Sequence, residues 1–156
     1  MRCVTGRVDK PVEWASSGKP GVEERTAGFM RALGMLDVDE ILSCFADSAS
    51  LRLGNAPPSF GKPAIRRAVL QLATQLAGIE HRILSLWASG DSLSVIEVDA
   101  HLTSLSDAQF ILPLTLLLCW TGGQIYSCQV CLYWEPCVAI EVTRHLQRLV
   151  PRARHT

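Results

Sequence analysis

Glu97, Asp99 and His101 occupy every second position in the segment Ser-Val-Ile-Glu-Val-Asp-Ala-His-Leu that runs from Ser94 to Leu102. Residues two apart on a pleated strand stand roughly 6.6 Å from one another on the same side. The pattern therefore presents two carboxylates and an imidazole to one volume, with Ile96, Val98, Ala100 and Leu102 on the opposite face. In a dry pocket the trio can run acid-base catalysis, one carboxyl serving as acid and its neighbour as base. In bulk water it is only the solvated side of a half-buried strand.

Composition narrows the partners. Fifteen basic side chains balance fifteen acidic ones, which leaves no field to recruit nucleic acid or an anionic membrane, so a small neutral partner is expected. The apolar run from Phe110 to Trp120 is too short to cross a bilayer and is interrupted by Pro113. The first twenty residues lack the apolar core of a signal peptide. A cytoplasmic protein without membrane insertion is the expectation. The six cysteines are Cys3, Cys44, Cys119, Cys128, Cys131 and Cys137. Cys128 and Cys131 have zinc-knuckle spacing, but residues three apart on a strand point to opposite faces and no second ligand pair follows. Neither a metal nor another cofactor is expected; reduced, buried thiols are.

The elements that must hold the trio follow from periodicity. Residues 1–21 carry glycines, prolines and scattered charges without a period and read as a flexible arm. Thr26, Phe29, Met30, Leu33 and Leu36 recur at helical spacing between Val22 and Leu36. Asp37 can cap a second helix, with Glu40 three residues on, and Val38, Ile41, Leu42 and Phe45 form its stripe. Leu51 and Leu53 alternate in a short strand, and residues 54–61 are loop because two prolines cannot continue a ladder. Pro63 opens a third helix with Ile65, Val69, Leu72 and Leu76 on one side, ending near Gly78.

Four strand-like segments come next: 81–88, 93–104, 109–120 and 125–134. Short, turn-rich connections imply antiparallel neighbours. Helices followed by antiparallel strands make an α+β fold with the helices on one side of a curved sheet that encloses a cone-shaped pocket. Residues 138–149 suit a last helix and the end of the chain a loose tail, so the domain proper spans 22–137.

The order of these elements, with several local strings, resembles the nuclear transport factor 2-like superfamily, in particular its SnoaL-like polyketide cyclase and limonene epoxide hydrolase branches. The strings are Phe29-Met30-Arg31-Ala32-Leu33, Asp37 to Asp47, Gly54-Asn55-Ala56-Pro57-Pro58 with Gly61, and Gly78-Ile79-Glu80-His81. Trp87 with Gly90-Asp91, Leu112-Pro113 and Tyr133 to Pro136 complete the set. The resemblance implies three helices against a strongly bent sheet, a pocket between them, a homodimer through the outer face of the sheet, and enzymes that work without cofactors. It also implies that the acidic side of the 94–102 strand turns inward, with Asp99 in the place of the hydrolases' proton-donating aspartate.

Their arginine falls on Glu97, their water-holding tyrosine and asparagine on Leu51 and Leu53, and their water-activating base on Val130. Water activation therefore loses its residues. What the resemblance leaves is a pocket walled by Leu51, Leu53, Leu112, Leu114 and Val130, in which desolvation would raise the pKa of one carboxyl of the Glu97 and Asp99 pair. His101 would orient the pair. His81 would sit at the pocket floor or bond a backbone carbonyl; Asn55 would shape a turn or touch substrate; and Trp87 would pack or stack on a flat ligand.

Two functions fit. The first is a cofactor-independent cyclase or isomerase acting on an apolar polyketide- or terpenoid-like intermediate, with Asp99, Glu97 and His101 catalytic. The second is a non-catalytic binding or dimeric interaction module of the same fold; an epoxide hydrolase with an altered site is a further alternative.

Overall fold

The computed structural model describes residues 2–5 and 21–132. Its first long element, α1 (Val22–Met35), forms where the stripe was expected: Val22, Thr26, Phe29 and Met30 are buried along one face. Leu36 does not extend the helix. It adopts a left-handed conformation at φ 52°, and the Leu36 and Asp37 N–H groups bond back to the Leu33 and Ala32 carbonyls, closing the helix end. Asp37 then caps α2 (Val38–Ser43), its side chain accepting the Glu40 N–H at 3.0 Å.

The second helix is shorter than its periodicity suggests. Phe45 belongs instead to β2 (Phe45–Leu53), where it pairs with Ile125 and meets the Phe29 ring edge-on at 5.7 Å. One tertiary pairing thus outweighs the local helical pattern. The loop that follows contains a two-residue strand, β3 (Ser59–Phe60), before α3 (Lys62–Ala73) starts with proline in its first turn. Ile65 and Val69 are buried as expected, while Leu76 falls in β4 (Leu76–Ser89). The remaining strands are β5 (Leu93–Ser104), β6 (Gln109–Thr121) and β7 (Gln124–Leu132).

The strands form one curved, unclosed, mostly antiparallel sheet behind the helices, an α+β architecture. Two corrections to the sequence expectation concern its edges. Residues 2–5, read as part of a flexible arm, form β1 (Arg2–Thr5), which pairs antiparallel with β4 along Arg2↔Ala88 to Thr5↔Ser85. The free edge of β4 offers an unpaired ladder, and that long-range partner was invisible to local composition. Strand β2 also runs parallel to β7, not antiparallel. The order is therefore β1-β4-β5-β6-β7-β2-β3. The other expected segments, the rest of the arm and residues 133–156, lie outside the described residues.

A buried polar hub joins α1 to the sheet. Thr26 Oγ1 bonds both the Val22 carbonyl at 2.6 Å and the Ser94 hydroxyl at 2.9 Å, and the Trp120 indole N–H donates to Ser94 Oγ at 3.0 Å. All three side chains are buried. Arg25 lies over the Trp120 ring, 5.3 Å from its centroid, and donates to the Asp91 carbonyl at 3.2 Å.

Removing the Ser94 hydroxyl leaves two buried groups short of a partner. Ser94→Ala should therefore lower stability by about 2 kcal/mol, read from the urea midpoint. Gly34, inside α1, behaves oppositely: a Cβ there would make only an ordinary 3.8 Å contact with His81 Nδ1. Gly34→Ala should raise the midpoint by the equivalent of about 0.5–1 kcal/mol.

Candidate functional site

The ladders fix which side chains share a face. Ala88, Ser94, Leu118, Cys128 and Leu51 stand in one row across the sheet. Leu86, Ile96, Leu116, Val130 and Leu53 form the next, then Ile83, Val98, Leu114 and Leu132, then His81, Ala100 and Leu112. Ser94 in the first row bonds Thr26 of α1, and Ile96 and Val98 pack in one cluster with Phe29, Met30, Ile41 and Ile65. This is the face the helices cover.

The expected period-two alternation of β5 holds, but its phase is the reverse of what the resemblance implied. Glu97, Asp99 and His101 point away from the helices, onto the outer face of the sheet. Glu97 stands between Ser85 and Thr115 and accepts a hydrogen bond from the Ser85 hydroxyl at 2.6 Å. Asp99 stands between Arg82 and Pro113, and His101 between Glu80 and Ile111. The condition for a desolvated carboxyl pair, an inward face, is not met. The physical reason is the apolar content of the even-numbered positions. Burying Ile96, Val98 and Ala100 at 0–1% exposure is worth several kcal/mol against leaving them in water, and the pleat then sends the odd positions outward.

The other expected site residues divide between the two faces. Leu51, Leu53, Leu112, Leu114 and Val130 line the inner face as expected. Trp87 does not: paired with Val95, it lies on the outer face. Asn55 is exposed in the turn after β2. Cys128 is inward and Cys131 outward, so the knuckle spacing brings no ligand pair together. Burial pushes the Cys128 thiol up to about 12, which makes it inert.

His81 is the polar exception on the inner face. It is partly buried beside Ala100 of β5 and faces Gly34 of α1. Its Nδ1 is enclosed without a hydrogen-bond partner among the described residues. Desolvation holds its pKa down at about 4 against an ordinary 6.5, so the ring is neutral at pH 7. Among the described residues it is the only histidine on the inner face of the sheet.

Around it the packing changes character. Among the described residues, the main core contains side chains of α1, α2 and α3, whereas the cluster of Ala100 and Leu112 with Leu102, Phe110, Leu114 and Leu132 contains no helix residue. The inner face thus continues past the helices as an apolar wall. That wall, with His81 in it, is the candidate site. It suits an uncharged apolar ligand with one polar atom, because a buried charge would find no counter-charge there among the described residues. Gly34 of α1 lies against the imidazole, a neighbour 47 positions away in sequence that no local signal reveals.

No protein-family model matches the chain, and no curated protein matches it in sequence. Solved structures do match it in fold. A protein assigned as a SnoaL-like polyketide cyclase from Shewanella denitrificans superposes with a TM-score of 0.66 at 12% identity, covering 81% of this chain and 97% of its own. SalBIII, an epoxide hydrolase/cyclase-like enzyme in pyran ring formation in the polyether salinomycin, gives 0.64 at 20% identity, covering 72% and 90%. A ketosteroid isomerase-like protein from Catenulispora acidiphila gives 0.65 at 16% identity, covering 85% and 98%. The chain has the nuclear transport factor 2-like fold, the fold of these cyclases and isomerase-like proteins.

The neutral state of His81 has a pH signature. Above pH 6.5 the ring is neutral in the folded and unfolded chain alike, and it exerts no pH-dependent effect. Between 6.5 and about 4 the unfolded chain binds the proton first, so stability falls as pH falls. The loss approaches about 3 kcal/mol at the acid end. His81→Phe should remove this component, and the difference between the two stability-pH curves, measured by urea unfolding from pH 7.5 to 4, isolates it.

Proposed function

We propose that this chain is a cofactor-independent cyclase or isomerase acting on an uncharged, apolar polyketide- or terpenoid-like intermediate. The observation that carries the proposal is His81: one neutral imidazole set in an apolar wall on the face the helices cover. The fold neighbours named as polyketide cyclase and as an enzyme of pyran ring formation support the reaction class. Ring closure and double-bond migration need no external reactant. A wall that folds a flexible substrate into a reactive shape and excludes water supplies most of what they require.

Water activation is disfavoured, because the positions that would hold the water, Leu51 and Leu53, and the one that would activate it, Val130, are inward and apolar. Glu97, Asp99 and His101 take no part in the chemistry. Their face carries exposed Leu84, Ile111 and Tyr126 beside its charged pairs. That mixture suits contact with a second copy of the chain, and a homodimer is part of the proposal. A binding-only role has one observation in its favour, the lack of an inward carboxylate among the described residues.

The test is native mass spectrometry of the purified full chain. Wild type and Asp99→Asn should retain an apolar ligand that Leu114→Trp, which fills the wall, does not. Equal retention by all three, or none by wild type, rejects the site. Cyclisation and isomerisation conserve mass, so chromatography of the released ligand before and after incubation separates enzyme from carrier. A carrier returns one compound unchanged.

A further inference from the structure

We infer that His81 acts as a hydrogen-bond donor through Nε2–H, and that the site selects ligands presenting a neutral oxygen acceptor, such as a ketone, lactone or ester carbonyl, to that edge of the ring. The inference rests on the reading of the inner wall as a ligand site.

A neutral imidazole has one N–H and one lone pair, and the surroundings decide which nitrogen carries which. Nδ1 is enclosed against α1 at Gly34 with no acceptor or donor in reach among the described residues. Placing the proton there would bury an orphaned N–H, the costlier of the two unpaired states, since orphaned N–H groups are rarer in folded proteins than under-satisfied acceptors. The proton therefore belongs on Nε2. The ring as a whole is only partly buried, and the edge away from Nδ1 is the one a ligand in the wall can meet.

The neighbours leave nothing else to compete. Ala100 and Leu112 lie beside the ring across the sheet, and Leu102, Phe110, Leu114 and Leu132 extend the wall. A carboxylate or ammonium ligand would be desolvated there without a partner, whereas a carbonyl oxygen exchanges one water hydrogen bond for one from Nε2–H. Donation by a neutral imidazole also polarises the carbonyl without a formal charge in the wall. That draws electron density onto the oxygen and makes the carbonyl carbon and the positions conjugated with it more electrophilic, which a ring closure onto them draws on and which moves no proton. His81 in this role orients and polarises.

Two measurements on the full chain test this. Nitrogen-15 histidine labelling at pH 7, with the His81 signals identified by their loss in His81→Phe, should show the proton on Nε2; a proton on Nδ1 overturns the inference. Binding is then compared for 1-tetralone, tetralin, 1-naphthol and 1-naphthoate. The ketone should bind at least about tenfold tighter than tetralin and than the carboxylate. His81→Phe should abolish that preference, and His81→Gln, whose amide N–H can stand in for Nε2–H, should restore part of it. Tighter binding of naphthol than of tetralone, or of the carboxylate than of the ketone, overturns the inference while leaving the site intact. If none of the four binds, the site reading itself falls, and the tautomer still decides the donor assignment.

Discussion

The Ser94 hydroxyl sits at the join of helix and sheet, and the arrangement of the molecule depends on it. It takes the Trp120 indole N–H from the neighbouring strand and meets Thr26 of the first helix, with all three side chains shielded from water. Groups so buried must find partners, and only one registration of helix on sheet supplies them. Side chains alternate along a strand, so fixing Ser94 against the helix fixes every residue after it on β5. Ile96, Val98 and Ala100 follow it inward. Glu97, Asp99 and His101 have no choice but the other side.

That phase decides the chemistry. An acidic pair turned inward would have made the site an acid-base device; turned outward, it leaves, among the described residues, a wall of leucine, phenylalanine and alanine with one histidine. The imidazole is held there in its neutral form because charging it would require solvation that the wall denies. On the proposed function, such a site would accelerate by confinement, orientation and one directed hydrogen bond. It is suited to rearranging the bonds of a single bound molecule, and poorly suited to bringing water or an ion into reaction.

Much of the architecture was legible from residue order. The stripe of Thr26, Phe29 and Met30, the Asp37 cap, proline at the start of the third helix and the bounds of the 93–104 strand are all local signals, and each is found where it was read. The misreadings cluster where a partner distant in sequence overrules a local pattern. Phe45 leaves its helix to pair with Ile125, Leu76 leaves the third helix for the fourth strand, and residues 2–5 pair with an edge eighty or more positions away. Of the residues singled out from sequence, Leu51, Leu53, Leu112, Leu114, Val130 and His81 lie on the inner face. Glu97, Asp99 and Trp87 lie on the outer face.

By itself the sequence determined that residues 94–102 form a strand with one apolar and one polar face, because alternation and side-chain chemistry are local properties. It did not determine which of those faces meets the helices. Alternation is symmetric under reversal of the sheet, and the symmetry is broken only by long-range contacts: the bond from Ser94 to a helix residue 68 positions earlier and the packing of Ile96 and Val98 on Phe29, Met30 and Ile65. Only in the tertiary structure do those contacts exist. They place the polar trio outside and leave His81 among apolar neighbours within.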